Sequence, residues 1–522
     1  MKTKRWVSIF LAVVLGASLL AGCNKNPQKN GEDMPVLYHA YYSEPYVTLD
    51  PSTEQSNGVK ILYNVYETLT HYNDQTGDVD PLLATDWTSN PDGTEWIFEL
   101  REDVIFHDGV KLNADAVRQS INRTIGLGKG ASYIWNSVDS IEVTGEYEVT
   151  FHLNYSAPIP LIASAGFAAY IMSPKVVDKP EEWFNDGNDG GSGPYTIASV
   201  SARAVTMTAY TDYRGGWREN QYKYVYIQEV PDSGTRRELL ESGESQLASD
   251  FSTEDLNILS QEEGFSILSA NTFTNVILMM NTKSSPCNNK DFRKALAYAF
   301  PYEETINSIL EGKGTQSHGM ITAGLWGHSD DLMQYHCDLE KAKVYLKKSG
   351  FTNATITVSY MGSNTAYMKM LHLYKDNLAQ IGVTLKLLSM DWNAQIALAK
   401  SVNPEDCQDI MLMQWWPDYA DPASWFSALL MNAGDSPGYN FCYLDDGVFG
   451  SENEEAIKLT VTDKAAAEKI YIQMQEEILD ECYIIFAYDM VQNYVVSNAI
   501  KGVYENPAYQ TCISYYEIER TN

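Results

Sequence analysis

Along this chain the apolar positions change period repeatedly, from the 3.6-residue spacing of amphipathic helices to the two-residue alternation of half-buried strands. Val36-Leu37-Tyr38 predicts a short strand and Leu49-Asp50-Pro51 a turn. Over residues 58–70, Ile61, Leu62, Val65 and Leu69 share one helical face. Residues 96–100 alternate as a strand after the turn Asn90-Pro91-Asp92-Gly93. Asn113 is placed to cap a helix that carries Ala116, Val117, Ser120 and Ile121. Phe292, Ala295, Leu296 and Ala299 define a helix over 288–300, closed by Pro301. Asp338 caps a further helix that ends at Gly350. An amphipathic helix over 366–380 is followed by Gly382 and a strand over 383–387. One more helix spans 464–480. This alternation excludes an all-β sandwich and predicts mixed α/β lobes. A body of about 500 residues exceeds what one core supports, so two or three lobes are expected. No internal repeat or low-complexity tract follows residue 35.

The N-terminus reads as an export signal, with Lys2, Lys4 and Arg5 ahead of an apolar run over 6–21 that is short for a permanent membrane span. The run ends in Leu20-Ala21-Gly22-Cys23, which resembles the bacterial lipobox. That resemblance implies cleavage after residue 22 and lipidation of Cys23. Residues 23–35 lack apolar periodicity and predict a flexible tether. No later segment offers ~18 consecutive apolar residues, so the body should be soluble. Three of the 37 basic residues and none of the 69 acids precede Cys23, which leaves residues 23–522 with a net charge of −35. Such a surface repels nucleic acid and anionic headgroups but says little about the ligand.

Beyond Cys23 stand Cys287, Cys337, Cys407, Cys442, Cys482 and Cys512, an even number in an exported chain, compatible with three disulfides or with free thiols. None forms CxxC, so no zinc site is expected. Gly191-Ser192-Gly193 runs into Pro194 rather than completing GxSxG, and HExxH is absent, so neither a serine hydrolase nor a zincin is signalled. His318, His328 and His336 lie in a loop-like stretch and read as surface residues. No catalytic residue, metal or cofactor is expected. The glycine run Gly126-Leu127-Gly128-Lys129-Gly130 has no strand leading into it and reads as a mobile loop rather than a phosphate cradle.

Several strings then accumulate in order: Tyr66-Glu67-Thr68-Leu69, Asp80-Pro81-Leu82-Leu83-Ala84, Asp92-Gly93-Thr94-Glu95-Trp96, Leu100-Arg101-Glu102-Asp103-Val104-Ile105-Phe106-His107-Asp108-Gly109, Gly193-Pro194-Tyr195, Asp291-Phe292-Arg293-Lys294-Ala295-Leu296 and Asp418-Tyr419-Ala420-Asp421-Pro422. Together they resemble the extracellular solute-binding family 5, receptors of oligopeptide, dipeptide and nickel importers. Most of these residues read as scaffold; Arg101 beside Asp103 and Asp108 fixes a turn by ion pairing. The resemblance implies an α/β, two-lobe, periplasmic-binding-protein-like (Venus flytrap) fold with an extra domain inserted in the N-terminal lobe. Residues 36–64, 191–284 and 489–522 would form lobe I, 65–190 the extra domain, and 285–488 lobe II.

The densest unusual chemistry is Trp415-Trp416-Pro417-Asp418-Tyr419, one residue after the apolar run Ile410-Met411-Leu412-Met413. A strand that ends in aromatics and one carboxylate suits a cationic amine in an apolar setting. In peptide-binding relatives the acid matching Asp418 pairs with the ligand α-ammonium. The alternative is that Asp418 or Asp421 caps the turn before Pro422, and for Asp421 the capping role is the stronger reading. Trp392 and Trp415 match pocket tryptophans of the oligopeptide binders, with a place in the core as the equal alternative; Tyr133 and Tyr488 occupy matching regions, and Trp416 and Tyr419 are candidates as neighbours of Asp418. Glu54 and Gln55 fall in the loop whose backbone pairs with peptide in relatives. Two departures stand out. No arginine occurs in Tyr360-Met361-Gly362-Ser363-Asn364-Thr365, where dipeptide binders clamp the ligand carboxylate, and Leu412 replaces a basic residue that serves short ligands. The implied function is capture of a peptide, preferably an oligopeptide, by lobe closure and delivery to the permease subunits of an ABC importer. The protein would be a lipid-anchored monomer that binds no nucleic acid. An oligosaccharide or nickel chelate in the same fold, or a sensor role, is the alternative.

Overall fold

The computed structural model describes residues 35–401, 403–432 and 438–521. The signal segment, Cys23 and the tether up to residue 34 lie outside the described residues. Two long antiparallel strands, Phe265–Met280 and Ile484–Ser497, form the spine of an eleven-stranded sheet. On one flank lie Ile410–Trp415, Thr355–Met361 and Thr384–Met390, the last three mutually parallel in that order. On the other flank come Leu247–Ser249, Val36–Tyr41 and Tyr224–Glu229, again mutually parallel, followed by antiparallel Ala204–Ala209 and Tyr195–Ser201. The pairing of the spine breaks between Asn271 and Asn275 and again between Val276 and Ile277. Such irregularities bend a strand and loosen its ladder, so the spine divides into two lobes at this level.

Both parallel sets run towards the break. Trp415 stands opposite Asn275, and Ser249 stands opposite Tyr494 with its strand advancing towards Gln492. The carboxyl ends of both parallel sheets therefore meet at the interlobe crevice, where open α/β sheets bind ligands. A separate four-stranded antiparallel sheet, in the order Ala84–Ser89, Glu95–Leu100, Glu148–Leu153 and Val138–Gly145, packs on the helix Ala114–Leu127. Asn113 caps that helix through the Ala116 amide at 2.9 Å.

Several local signals act as expected. Asp338 caps Leu339–Ser349, and Gly350 closes it in the left-handed region at φ 78°. Thr365–Gln380, Thr384–Met390 and Lys464–Glu481 match their patterns to within a few residues. The helix expected over 288–300 is Lys290–Ala299, with Asn289 as its cap. The helix expected over 58–70 stops early, as Val59–Val65; Tyr66 is extended, Glu67 bridges to Ile171, and Thr70–Asn73 is a strand. The cause is tertiary: Gly191 and Gly193 lie on the Val65 carbonyl so closely that a Cβ at Gly191 would sit 1.9 Å from its oxygen. That packing occupies the carbonyl a further helical turn would need, and Tyr66, Thr68 and Thr70 suit extended backbone.

The glycine run over 126–130 follows a helix rather than a strand. Gly128 ends the helix at φ 60°, and a Cβ at Gly130 would meet the Thr53 carbonyl at 2.6 Å. Arg101 pairs with Asp103 through two nitrogen-oxygen contacts of 2.9 Å. All six described cysteines are free thiols, and five of them are buried. Among the described residues, no helix is long and apolar enough to cross a membrane.

Candidate ligand-binding site

The strand Ile410–Trp415 is buried almost throughout, which fits its apolar run, and it delivers Trp415 to the crevice edge. Pro417 ends the ladder and the chain turns through Asp418 into the helix Pro422–Leu430. Asp418 is 6% exposed. Its amide donates to Ser424 Oγ at 2.7 Å, and the Ser424 hydroxyl lies 3.3 Å from Oδ2. The same Oδ2 accepts the hydroxyl of Tyr133, which reaches across from the segment after Ala114–Leu127. Burial pushes the Asp418 carboxyl up to about 7, and among the described residues no basic side chain offsets it. The Tyr133 hydroxyl is pushed well above its ordinary value by the same burial and by Asp418.

Asp421, three residues on, is fully buried and also raised to about 7 by burial. Its Oδ1 accepts the Ala423 amide at 2.8 Å, so it caps the helix, as the turn reading of this residue expects.

Aromatic rings form the wall beside Asp418. Trp415 packs its ring 5.0 Å from Tyr439, and its buried Nε1 has no hydrogen-bond partner. Tyr439 is within hydrogen-bonding reach of Gln55, from the loop after Pro51, and feels the Asp418 charge. Gln55, Tyr133, Trp415 and Asp418 are thus brought to one place from chain segments hundreds of residues apart. Tyr419 is half-buried beside Asp418 and Asp421. Trp416 and Trp392 are half-buried at the rim of the lobe II core. Trp392 opens the helix Trp392–Ala399 two strands away from Trp415, about 10 Å at normal strand spacing. Tyr488 is buried on the spine opposite Val276, close enough to Tyr367 to act on its hydroxyl.

Glu54 is committed to its own loop. Oε2 accepts the Thr48 amide at 2.9 Å, and Oε1 accepts the Ser56 hydroxyl at 2.9 Å. Its side chain shapes the loop that carries Gln55. Ser424 and Tyr439 were not legible as site residues: Ser424 looks like any early helical serine, and nothing near Tyr439 in sequence points to Trp415.

A crevice between two α/β lobes, hinged on two strands and walled by aromatics around one unpaired acid, defines a two-lobed solute-binding protein. Residues 78–437 match the model of the bacterial extracellular solute-binding proteins, family 5 (middle), and the chain belongs to this family of substrate-binding transport proteins. It is 27% identical over 494 residues to the probable D,D-dipeptide-binding periplasmic protein DdpA of Escherichia coli (strain K12), which covers 91% of this chain and 92% of that protein. It is 26% identical over 477 residues to heme-binding protein A of Haemophilus influenzae, covering 85% of each. Among solved structures, the dipeptide-binding protein of Pseudoalteromonas sp. SM9913 in complex with Met-Leu superposes with a TM-score of 0.82 at 21% identity, over 93% of this chain and all of that one.

Proposed function

We propose that this protein captures peptides outside the cell membrane and delivers them to the permease of an ABC importer. The observation that carries the reading is Asp418: a buried carboxylate at a strand terminus, raised by burial, with hydroxyl donors and no cation. A carboxylate left this way is costly until a cation reaches it, and a peptide α-ammonium supplies both the charge and the donors. Trp415 and Tyr439 give the apolar wall around the first residue of such a ligand, and the loop carrying Gln55 gives backbone groups from the opposite side. Contacts from both sides stabilise the closed form that the permease reads. The absence of an arginine in Tyr360-Met361-Gly362-Ser363-Asn364-Thr365 favours oligopeptides over strict dipeptides. Lipidation of Cys23 and the tether would hold a monomeric receptor beside its permease at high effective concentration. The relatives that bind dipeptides support peptide as the ligand class.

Native mass spectrometry of protein purified from cells is expected to show bound peptides. A haem, a sugar or a metal chelate in their place would sink the assignment. Calorimetry should show that N-acetylation of a peptide weakens binding to the wild type, and that this penalty vanishes in Asp418→Ala.

A further inference from the structure

One side chain holds the turn between the strands Ala84–Ser89 and Glu95–Leu100. Asn90 Oδ1 accepts the amides of Thr94 at 2.9 Å and Glu95 at 3.1 Å, and its Nδ2 donates to Thr94 Oγ1 at 3.0 Å. The Asn90 carbonyl accepts the Gly93 amide at 3.1 Å. Gly93 lies at φ 64°, in the left-handed region that favours glycine. A second demand on this position is steric. A Cβ at Gly93 would lie 2.9 Å from Val461 Cγ1 and 3.2 Å from Val461 Cβ. Both distances fall inside the roughly 3.5–4.0 Å at which carbon atoms rest against each other. The same Cβ would meet Ser156 Oγ at 2.5 Å, a hydroxyl that a change of rotamer moves aside.

Val461 belongs to the body that carries Asp418. Its helix, Gly450–Thr462, packs on Lys464–Glu481 and on Pro422–Leu430, the helix that follows Asp418. Asn453 Nδ2 fastens it there through Ser427 Oγ at 3.0 Å. Gly93 belongs to the other side. Arg123, on the helix Ala114–Leu127 that packs against the four-stranded sheet, clamps the buried Asp50 with two contacts of 2.6 Å. Asp50 opens the loop that carries Gln55, and a bidentate pair of this kind ties the sheet to that loop. Three points then bridge the two bodies: Tyr133 on Asp418, Tyr155 within reach of the Glu454 charge on the Val461 helix, and Gly93 on Val461. Of these, Gly93 on Val461 is a contact of backbone against side chain with no polar group to rearrange.

We propose that the Gly93–Val461 contact is a closing stop: it fixes how far the two sides of the crevice approach each other, and so sets peptide affinity without touching the peptide. Gly93 and Val461 are positioning residues in this scheme. It rests on the lobe closure of the peptide-capture reading and names the contact that ends it. A glycine at the tip has no side chain to bend, and the Asn90 hydrogen bonds leave the turn little freedom to yield. A larger group at either position must therefore hold the crevice ajar. Apparent affinity then falls in proportion to the fraction of molecules that still close.

The test is the peptide load that the protein retains through gel filtration after incubation with a tryptic digest of casein, read by mass spectrometry. Val461 is half-buried, which leaves room for substitution without unfolding. Val461→Trp is expected to retain at least about tenfold less peptide than wild type and to release it faster on dilution, whereas Val461→Ala stays within about twofold. The ligand-free melting temperature of Val461→Trp should match that of wild type, because an open crevice does not make the contact. Retention by Val461→Trp within about twofold of wild type overturns the stop and leaves peptide capture standing. A lowered ligand-free melting temperature in Val461→Trp also overturns it, since the residue would then serve packing rather than closure. If wild type itself retains no peptide, peptide capture fails and the stop falls with it.

Discussion

Asp418 and Asp421 stand three residues apart, equally buried and equally raised, yet the regions around them do opposite things with a carboxylate. At the helix start, Asp421 meets a fixed backbone amide, and its position is explained by the helix it caps. At the strand terminus, Asp418 meets two hydroxyls, one of them carried by a distant segment on the far side of the crevice. Hydroxyls can turn away or be displaced when a ligand arrives; a helix amide cannot. Burial alone therefore does not mark a binding acid, and the mobility of its partners does.

The comparison breaks most sharply on ligand affinity. Asp418→Ala is expected to cost about 2–5 kcal/mol in binding a free peptide, measured by calorimetry, because it removes one side of a buried charge pair. Asp421→Ala should leave that affinity nearly intact, and an equal loss in both variants would erase the distinction.

The next effect is that of pH. With the ligand-free Asp418 titrating at about 7, binding an ammonium below that pH expels a proton. Peptide affinity should then fall by up to about tenfold per unit as pH drops below 7, and the dependence should flatten above it. Ligand-free stability runs the other way. Below about 4 both folded and unfolded carboxyls are protonated and nothing is lost; as pH rises to about 7 the unfolded state ionises first, so stability declines. Thermal melts of Asp418→Asn should show a shallower decline than wild type over that window.

A smaller loss, about 1 kcal/mol of folding stability in denaturant titration, is expected for Asp421→Ala through its missing cap. Tyr133→Phe should change peptide affinity by about 0.5–1.5 kcal/mol, the worth of one hydrogen bond. A Tyr133→Phe effect as large as that of Asp418→Ala would mean that Tyr133, rather than a ligand cation, is the main partner of the acid.

Local chemistry made much of this molecule readable in advance. Asn113, Asp338 and Gly350 act within one turn of the chain, so their neighbours suffice to place them. The capping role of Asp421 was equally local, since Asp-Pro at a helix start needs no distant partner. The helix expected over 58–70 failed because its end is set by Gly191 and Gly193, more than a hundred residues away. Glu54 fell in a loop expected to face ligand, but only the folded loop reveals that its carboxylate is spent on Thr48 and Ser56.

What the sequence by itself determined was the class of lobe, the position of the strand ending at Trp415, and the presence of an acid with aromatics at its tip. Periodicity and capping depend on spacings of a few residues, which any reader of the chain can measure. Tertiary structure alone decided that Asp418 is buried without a cation beside it and that Tyr133, Tyr439 and Gln55 gather around it. Burial, hydrogen-bond partners and the field at a carboxylate are sums over neighbours in space, and those neighbours come from segments that only the folded hinge brings together.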